Sequence, residues 1–216
     1  MATKTHHTNA RQTVPSARQA ARLELRQALA RETARKERRR LITRIVTATV
    51  VVIVASLVAY GLWSARPTNS SAAAQAPAFT LKTTAGTTVS LSDYRGKTVI
   101  LYFNEGASCG ACTQQMAGIE KNPGFADAGI TVLPIVMNTR AQIQPDLDTF
   151  GVKTPYLLDD GTVSKAYGTL GKGMHAGLPG HGFVLIDGAG IERWQGDYPS
   201  MWLEPAELLK IAKSNL

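Results

Sequence analysis

The sequence predicts an α/β domain with a mixed central sheet flanked by helices, preceded by a single transmembrane helix. Two observations carry this prediction. From residue 79 onward, short apolar runs with strand character alternate with segments of helix-forming residues. Before that point, Ile45 to Trp63 is a run of 19 residues without a charged side chain. At about 1.5 Å per residue, a helix of this length spans roughly 28 Å, close to the hydrocarbon thickness of a bilayer.

The expected elements of the domain alternate along the chain and end in a hairpin and a helix. Thr98 to Asn104 is predicted to be the buried central strand. Cys109 to Lys121 is predicted to be a helix that ends before Asn122-Pro123, because the residue before a proline avoids the helical region. Further strands are expected at residues 87–91 and 130–137, helices at 140–150, 163–167 and 204–214, and a hairpin from 182–187 and 190–195.

The formal net charge of +8 is confined to the N-terminal part of the chain. Residues 1–44 hold 12 lysines and arginines against three acids, whereas the rest holds 12 against 13. The pI near 9.7 therefore describes a basic tail, and no nucleic-acid partner is expected. Basic residues precede the apolar run, and Tyr60 and Trp63 lie at its other end, as interfacial aromatic residues do. The positive-inside rule then places the N-terminus in the cytoplasm and residues 67–216 outside.

This reasoning divides the chain into four parts. They are a basic, partly helical cytoplasmic tail (1–44), a transmembrane helix (45–63), a small polar linker (64–78) and the α/β domain (79–216). In the tail, Arg18, Arg22 and Arg26 share a helix face, and we expect them either to attract anionic lipid heads or to be a solvated surface. Cleavage of the N-terminal part at Ala72-Ala73-Ala74 is the alternative to anchoring.

The only two cysteines in the chain stand as Cys109-Gly110-Ala111-Cys112, between the predicted central strand and the following helix. A C-x-x-C at a strand-to-helix junction is the arrangement of a thiol–disulfide active site. The first thiol then lies at the helix N-terminus, where the helix dipole and free backbone N–H groups lower a thiol pKa. A zinc site would need four ligands, and a purely structural disulfide over four residues would constrain the unfolded chain little.

Several stretches resemble the redoxin domains of the AhpC/TSA and TlpA/ResA-like branch of the thioredoxin superfamily. They are Leu91 to Phe103 (LSDYRGKTVILYF), the cysteine pair after it, Pro155 to Gly168, and Leu178 to Asp187. The resemblance covers about residues 76–212. It implies a thioredoxin-like fold and thiol–disulfide chemistry without a cofactor or a metal.

The chain departs from the family pattern at three places. Ser108 stands directly before the first cysteine, where thioredoxins have tryptophan. Peroxiredoxins have proline seven residues and threonine three residues before their reactive cysteine, and here those positions hold Tyr102 and Gly106. Pro179 is expected to be the active-site cis proline, with one residue more than usual before the next strand, and Pro155 is the alternative.

The resemblance and the spacing together assign roles to the site residues. Cys109 is expected to be the attacking thiolate and Cys112 the resolving thiol. Glu105 is either a proton acceptor for Cys112 or a loop acid, and His181 either tunes the thiolate or is a surface histidine. The predicted function is membrane-anchored extracytoplasmic thiol–disulfide exchange with protein thiols and a further redox partner. A thiol peroxidase is the first alternative, and a copper-binding module using the cysteines with Met174 and His175 is the second.

Overall fold

The computed structural model describes residues 17–70 and 73–216. The first 16 residues of the expected basic tail lie outside this range. The strands are β1 (Thr68–Ser70), β2 (Ala74–Gln75), β3 (Thr80–Thr83), β4 (Thr88–Ser90), β5 (Thr98–Phe103), β6 (Ile130–Val136), β7 (Leu157–Leu158), β8 (Gly182–Ile186) and β9 (Ile191–Asp197). The helices are α1 (Ala17–Ser64), α2 (Gly110–Glu120), α3 (Gly124–Asp127), α4 (Arg140–Phe150), α5 (Thr162–Ala166) and α6 (Pro205–Ser214), with a 3₁₀ helix at Leu91–Tyr94.

The first unit of the chain is dominated by α1, which runs 48 residues without interruption. The helix continues through residues 44 and 45, so the basic segment and the apolar run form one element. Apolar side chains from Ile45 to Val58 are exposed along it. By length and composition α1 can cross a membrane, although such a helix near an N-terminus is also found as a signal sequence or as the core helix of a soluble protein.

The second unit is built on one mixed sheet with the strand order β1-β9-β8-β5-β6-β7-β3-β4. The central strand β5 pairs in parallel with β6 and antiparallel with β8. The predicted mixed sheet with flanking helices is therefore confirmed. The expected linker is partly wrong, because β1 and β2 fall within residues 64–78 and both pair with β9. These strands are three and two residues long, too short for the sequence to show a period.

The side chains of β5 alternate between two buried layers, as a strand covered on both faces requires. Ile100 and Tyr102 point into a cluster with residues of α2, α3, α4 and α6. Val99, Leu101 and Phe103 point into a second cluster on the other face, with residues of the 3₁₀ helix and α5. The strand is consequently fixed from both sides, and its C-terminal end delivers the chain to the cysteines.

Pro134 lies inside β6, where its missing N–H must not interrupt the ladder. The carbonyl of the next residue, Ile135, accepts a hydrogen bond from Asn104 on the β5 side. The nitrogen of Pro134 therefore faces the opposite side, where β7 pairs only with Ile135 and Val136. The missing N–H of Pro134 thus faces the side of β6 that has no partner strand at this residue, and the ladder with β5 is not interrupted.

Candidate active site

The turn from β5 to α2 leads into the first cysteine. The backbone of this turn is held by side chains that accept hydrogen bonds from its N–H groups. Asn138 Oδ1 accepts from Ala107 N at 2.9 Å, and Asp146 Oδ2 accepts from Ser108 N at 2.9 Å. The two acceptors come from the end of β6 and from α4, so distant parts of the chain fix the backbone that leads into Cys109.

Gly106 makes this turn possible. Its φ of 76° is in the left-handed region that side-chain-bearing residues rarely adopt. A Cβ added there would overlap Asn138 Oδ1, the atom that holds the next residue. The position where peroxiredoxins carry threonine therefore has no room for any side chain, because turn geometry and packing both require glycine.

Ser108 also has a left-handed backbone, with a φ of 73°. A non-glycine residue is uncommon in this region, and a bulky one is strained there. A tryptophan at this position, as in thioredoxins, would be strained in this conformation.

Cys109 and Cys112 form a disulfide, with their Cα atoms 5.3 Å apart. Cys109 occupies the N-cap position of α2 and is half-buried, whereas Cys112 is fully buried. The carbonyl of Cys109 accepts hydrogen bonds from the backbone N–H groups of Cys112 and Thr113. Of the two sulfur-bearing residues, only Cys109 is partly open to an incoming disulfide, as its expected role as nucleophile requires.

Tyr102 and His181 lie beneath the first turn of α2. The Tyr102 hydroxyl donates to the carbonyl oxygen of Cys112 at 3.0 Å, and His181 Nδ1 lies 3.2 Å from the same hydroxyl. Both side chains are buried, with exposed fractions of 0% and 1%. Burial lowers the pKa of His181 to about 3, so the ring is neutral at physiological pH. Burial, and to a lesser extent Tyr156, raises the pKa of Tyr102, so its hydroxyl keeps its proton.

Glu105 is buried and faces the loop after α5. One carboxylate oxygen accepts from the backbone N–H groups of Met174 and His175 at 2.6 and 3.3 Å. The other lies 2.8 Å from His175 Nδ1. Of the two roles expected for Glu105, this arrangement corresponds to the loop acid, since its described hydrogen bonds run to that loop.

The expectation of a cis proline is wrong, both for Pro179 and for the alternative Pro155. No peptide bond is cis within residues 17–70 and 73–216. Pro179 instead forms a β-bridge with Leu170, and Gly180 N donates to the carbonyl of Thr169. The chain has one residue more than usual between Pro179 and β8. This extra residue accommodates the extended stretch at Pro179, and His181 packs against Tyr102.

The residues of the copper hypothesis are not brought together as a site. His175 is paired with Glu105, and the Met174 side chain is 75% exposed. Within the described part of the chain, no group of three or more His, Cys, Asp or Glu residues is placed to hold a metal. A cavity of about 730 Å³ contains neither cysteine and lies among Met116, Ile119, Phe125 and Ile130 with their neighbours.

Sequence reasoning missed three residues that shape the site. Asn138 and Asp146 act through single side-chain oxygens on the turn, and nothing in their local sequence signals this. Tyr102 was considered only as the residue at the position of a peroxiredoxin proline. A hydroxyl-bearing ring among the buried apolar residues of β5 was the signal that could have indicated a buried partner.

The fold and the cysteine pair define a thioredoxin-like redoxin with a disulfide-forming C-x-x-C pair. A model of the AhpC/TSA family matches residues 72–194, and the chain belongs to that family. A protein of Mycobacterium tuberculosis with the provisional name peroxiredoxin is 38% identical over 112 residues, which are 51% of this chain and 71% of that protein. Relatives of this kind are oxidoreductases of the peroxiredoxin type.

Two solved structures are similar. The crystal structure of the peroxidoxin BcpB from Mycobacterium tuberculosis covers 67% of this chain and 97% of its own, with a TM-score of 0.57 and 19% identity. The solution structure of a candidate protein disulfide isomerase from Bacteroides thetaiotaomicron covers 67% and 89%, with a TM-score of 0.52 and 26% identity. The fold is thus shared with proteins named for peroxide chemistry and with one named for disulfide exchange.

We predict that Gly106 is far less tolerant of substitution than a glycine with similar φ and open surroundings. Gly129 has a φ of 65° and nothing within 4 Å of an added Cβ, so it is the matched control. Gly129→Ala should cost about 1 kcal/mol for the backbone alone, and Gly106→Ala about 2 kcal/mol or more, because a clash with Asn138 is added. Denaturant unfolding of the oxidised full chain in detergent measures both. Equal costs would show that the turn relaxes freely around residue 106.

We also predict a histidine-dependent loss of stability in mild acid. Because the folded-state pKa of His181 is depressed, the unfolded chain takes up a proton below about pH 6.5 while the folded chain stays neutral until about pH 3. Stability from this group is therefore present above the unfolded pKa and is lost as the pH falls. Between pH 7 and pH 5 the wild type should lose about 2 kcal/mol more unfolding free energy than His181→Asn. Parallel pH dependences of the two proteins would contradict a buried neutral histidine.

Proposed function

We propose that this protein is a membrane-anchored, extracytoplasmic thiol–disulfide oxidoreductase that works through Cys109 and Cys112. The observation that carries the proposal is the disulfide itself, which joins a half-buried Cys109 at the N-terminus of α2 to a fully buried Cys112. A partly exposed sulfur can be attacked by a partner thiolate, or can attack a partner disulfide, while the buried one stays within reach to resolve the intermediate.

The exchange proceeds in two steps in the reducing direction. The Cys109 thiolate attacks one sulfur of a partner disulfide, forming a mixed disulfide and releasing the other partner sulfur as a thiolate, which takes a proton from solvent. Cys112 then loses its proton to solvent and attacks the Cys109 sulfur. The Cys109–Cys112 bond forms, the bond to the partner breaks, and the electron pair leaves with the partner sulfur. The oxidising direction is the reverse.

A thiol peroxidase is the second candidate, and the similarity to the protein of Mycobacterium tuberculosis named as a peroxiredoxin favours it. In that reaction the Cys109 thiolate attacks the peroxide O–O bond, becoming a sulfenic acid and releasing water or an alcohol. Cys112 then forms the disulfide and releases water. Against this candidate stands Gly106, where no peroxide-binding hydroxyl fits. Consumption of peroxide by the reduced chain, compared with its reduction of a protein disulfide, separates the two.

We propose that α1 anchors the chain with its basic end in the cytoplasm. The apolar run from Ile45 to Trp63 is long enough to span a bilayer, and basic residues crowd only its N-terminal side. This orientation puts the cysteines in an extracytoplasmic compartment, where disulfides persist.

The cysteine roles predict different trapping behaviour for two single variants. Cys112→Ser should accumulate a mixed disulfide through Cys109, because no resolving thiol remains, and Cys109→Ser should accumulate none. Non-reducing electrophoresis of the full chain after incubation with a disulfide-containing protein measures both. Trapping by Cys109→Ser but not by Cys112→Ser would invert the roles, and trapping by neither would refute disulfide exchange.

The orientation predicts that protease added to intact spheroplasts digests the domain from residue 79 onward. The same treatment after detergent lysis is the control, since the domain must then be accessible in either orientation. Survival of the domain in intact spheroplasts, or the presence in untreated cells of a free soluble form that begins near Gln75, would exclude the proposed anchoring.

A further inference from the structure

The two cysteines are positioned by different parts of the protein. The backbone before Cys109 is tied to the helix-bearing side through Asn138 and Asp146, by hydrogen bonds to the N–H groups of residues 107 and 108. None of these contacts involves Cys112. Besides the hydrogen bond from its N–H to the Cys109 carbonyl, the Cys112 backbone is attached through its own carbonyl to the central strands of the sheet.

This second attachment runs through the hydroxyl of Tyr102. The hydroxyl has one proton, which it donates to the carbonyl oxygen of Cys112 at 3.0 Å. Since that proton is used, the contact with His181 Nδ1 at 3.2 Å is a hydrogen bond only if the ring nitrogen donates. His181 Nε2 lies 3.5 Å from the same hydroxyl, so the ring nitrogen that carries the proton can donate to it, and a chain of two bonds runs from His181 through Tyr102 to Cys112.

The chain of hydrogen bonds is held rigidly. Tyr102 lies on β5 and His181 directly precedes β8, two strands that pair with each other. The Tyr102 ring stacks on Phe183 of β8 at a centroid distance of 4.7 Å, and neither polar side chain is open to solvent. Side chains locked by packing and by further hydrogen bonds are the ones that can hold a reacting group in place.

We propose that Tyr102 is a positioning residue for the resolving thiol, with His181 orienting its hydroxyl. This inference rests on the proposed disulfide exchange. By fixing the first turn of α2 at the carbonyl of Cys112, Tyr102 keeps the Cys112 sulfur in line with the Cys109–partner bond. It therefore acts on the second, intramolecular step of the exchange and not on the first attack, for which Cys109 depends on other contacts.

The structure supplies a matched control in Tyr156. This tyrosine is also fully buried in the cluster that contains Tyr102. Its hydroxyl has no hydrogen-bond partner among the described residues, so Tyr156→Phe removes a buried hydroxyl without removing a bond to the site. Tyr102→Phe keeps the ring stacked on Phe183 and removes only the hydrogen bonds.

The test is the reaction of the reduced full chain, in detergent, with 5,5′-dithiobis(2-nitrobenzoate), followed by stopped-flow absorbance. The chain contains only two cysteines, so every released thiolate reports on this pair. The first reagent thiolate is released when Cys109 attacks the reagent, so the rate of this phase depends on reagent concentration. The second is released when Cys112 attacks the Cys109 sulfur, so the rate of that phase does not. Cys112→Ser, which gives only the first release, assigns the phases.

We expect Tyr102→Phe to slow the second phase about fivefold, the equivalent of one typical hydrogen bond, and to leave the first phase within about twofold. Tyr156→Phe should match the wild type in both phases. His181→Leu should slow the second phase like Tyr102→Phe, whereas His181→Asn, whose amide can donate from about the position of Nδ1, should restore it. The double variant Tyr102→Phe/His181→Leu should be no slower than either single variant.

Two outcomes overturn the inference but leave the proposed function standing. The first is a second phase in Tyr102→Phe that is as fast as in Tyr156→Phe. The second is equal slowing of both phases in Tyr102→Phe, which would indicate general loosening of the fold. A wild type that releases no second thiolate, or fails to reduce a protein disulfide, would overturn the proposed function together with it.

Discussion

The backbone of the turn between β5 and α2 is the constraint on which the site depends. The turn must leave a strand that is buried on both faces and start a helix within six residues. It does so with two left-handed residues, Gly106 and Ser108, and Asn138 and Asp146 accept hydrogen bonds from the N–H groups of residues 107 and 108. Because Gly106 packs directly against Asn138, the conformation of the turn and its anchoring cannot be changed separately. Cys109 is at the helix N-terminus as a result of this fit.

The preference of the proposed function for disulfide exchange over peroxide reduction rests on one position in this turn. A peroxide needs hydroxyl and backbone donors close to the attacking sulfur, and the position before the helix that would supply the hydroxyl is closed by the turn. A disulfide partner needs only an accessible first sulfur and a second sulfur nearby. The named relatives span both activities, so the family alone does not choose between them. The closed position at Gly106 is the observation on which the proposed function bases its preference for disulfide exchange.

The sequence was sufficient to predict those helices and strands that a local residue pattern marks. The central strand, α2, β6, α4, the β8–β9 hairpin and α6 were all predicted to within a few residues, because period, prolines and turn residues mark them. The short strands β1 and β2 were assigned to a linker, since their stability comes from β9, more than 110 residues away. The cis proline was transferred from the family across an insertion that changed the local path of the chain. The loop that bonds Glu105 and the histidine that contacts Tyr102 were not predictable, because they lie about 70 to 80 residues away in segments with no matching pattern.

Because α1 is continuous, its basic residues lie at very different distances from the apolar run. At 1.5 Å per residue, Arg18 lies about 40 Å along the helix axis from Ile45, where the apolar run begins. The potential of an anionic membrane decays over roughly 8 Å at physiological salt. In a straight helix crossing the bilayer, only the basic residues nearest the span, from Lys36 to Arg44, interact electrostatically with the lipid surface. The face shared by Arg18, Arg22 and Arg26 then lies about 28 to 40 Å from the start of the apolar run, or roughly 3.5 to 5 screening lengths. Its charges are therefore exposed to bulk electrolyte and not to the lipid surface.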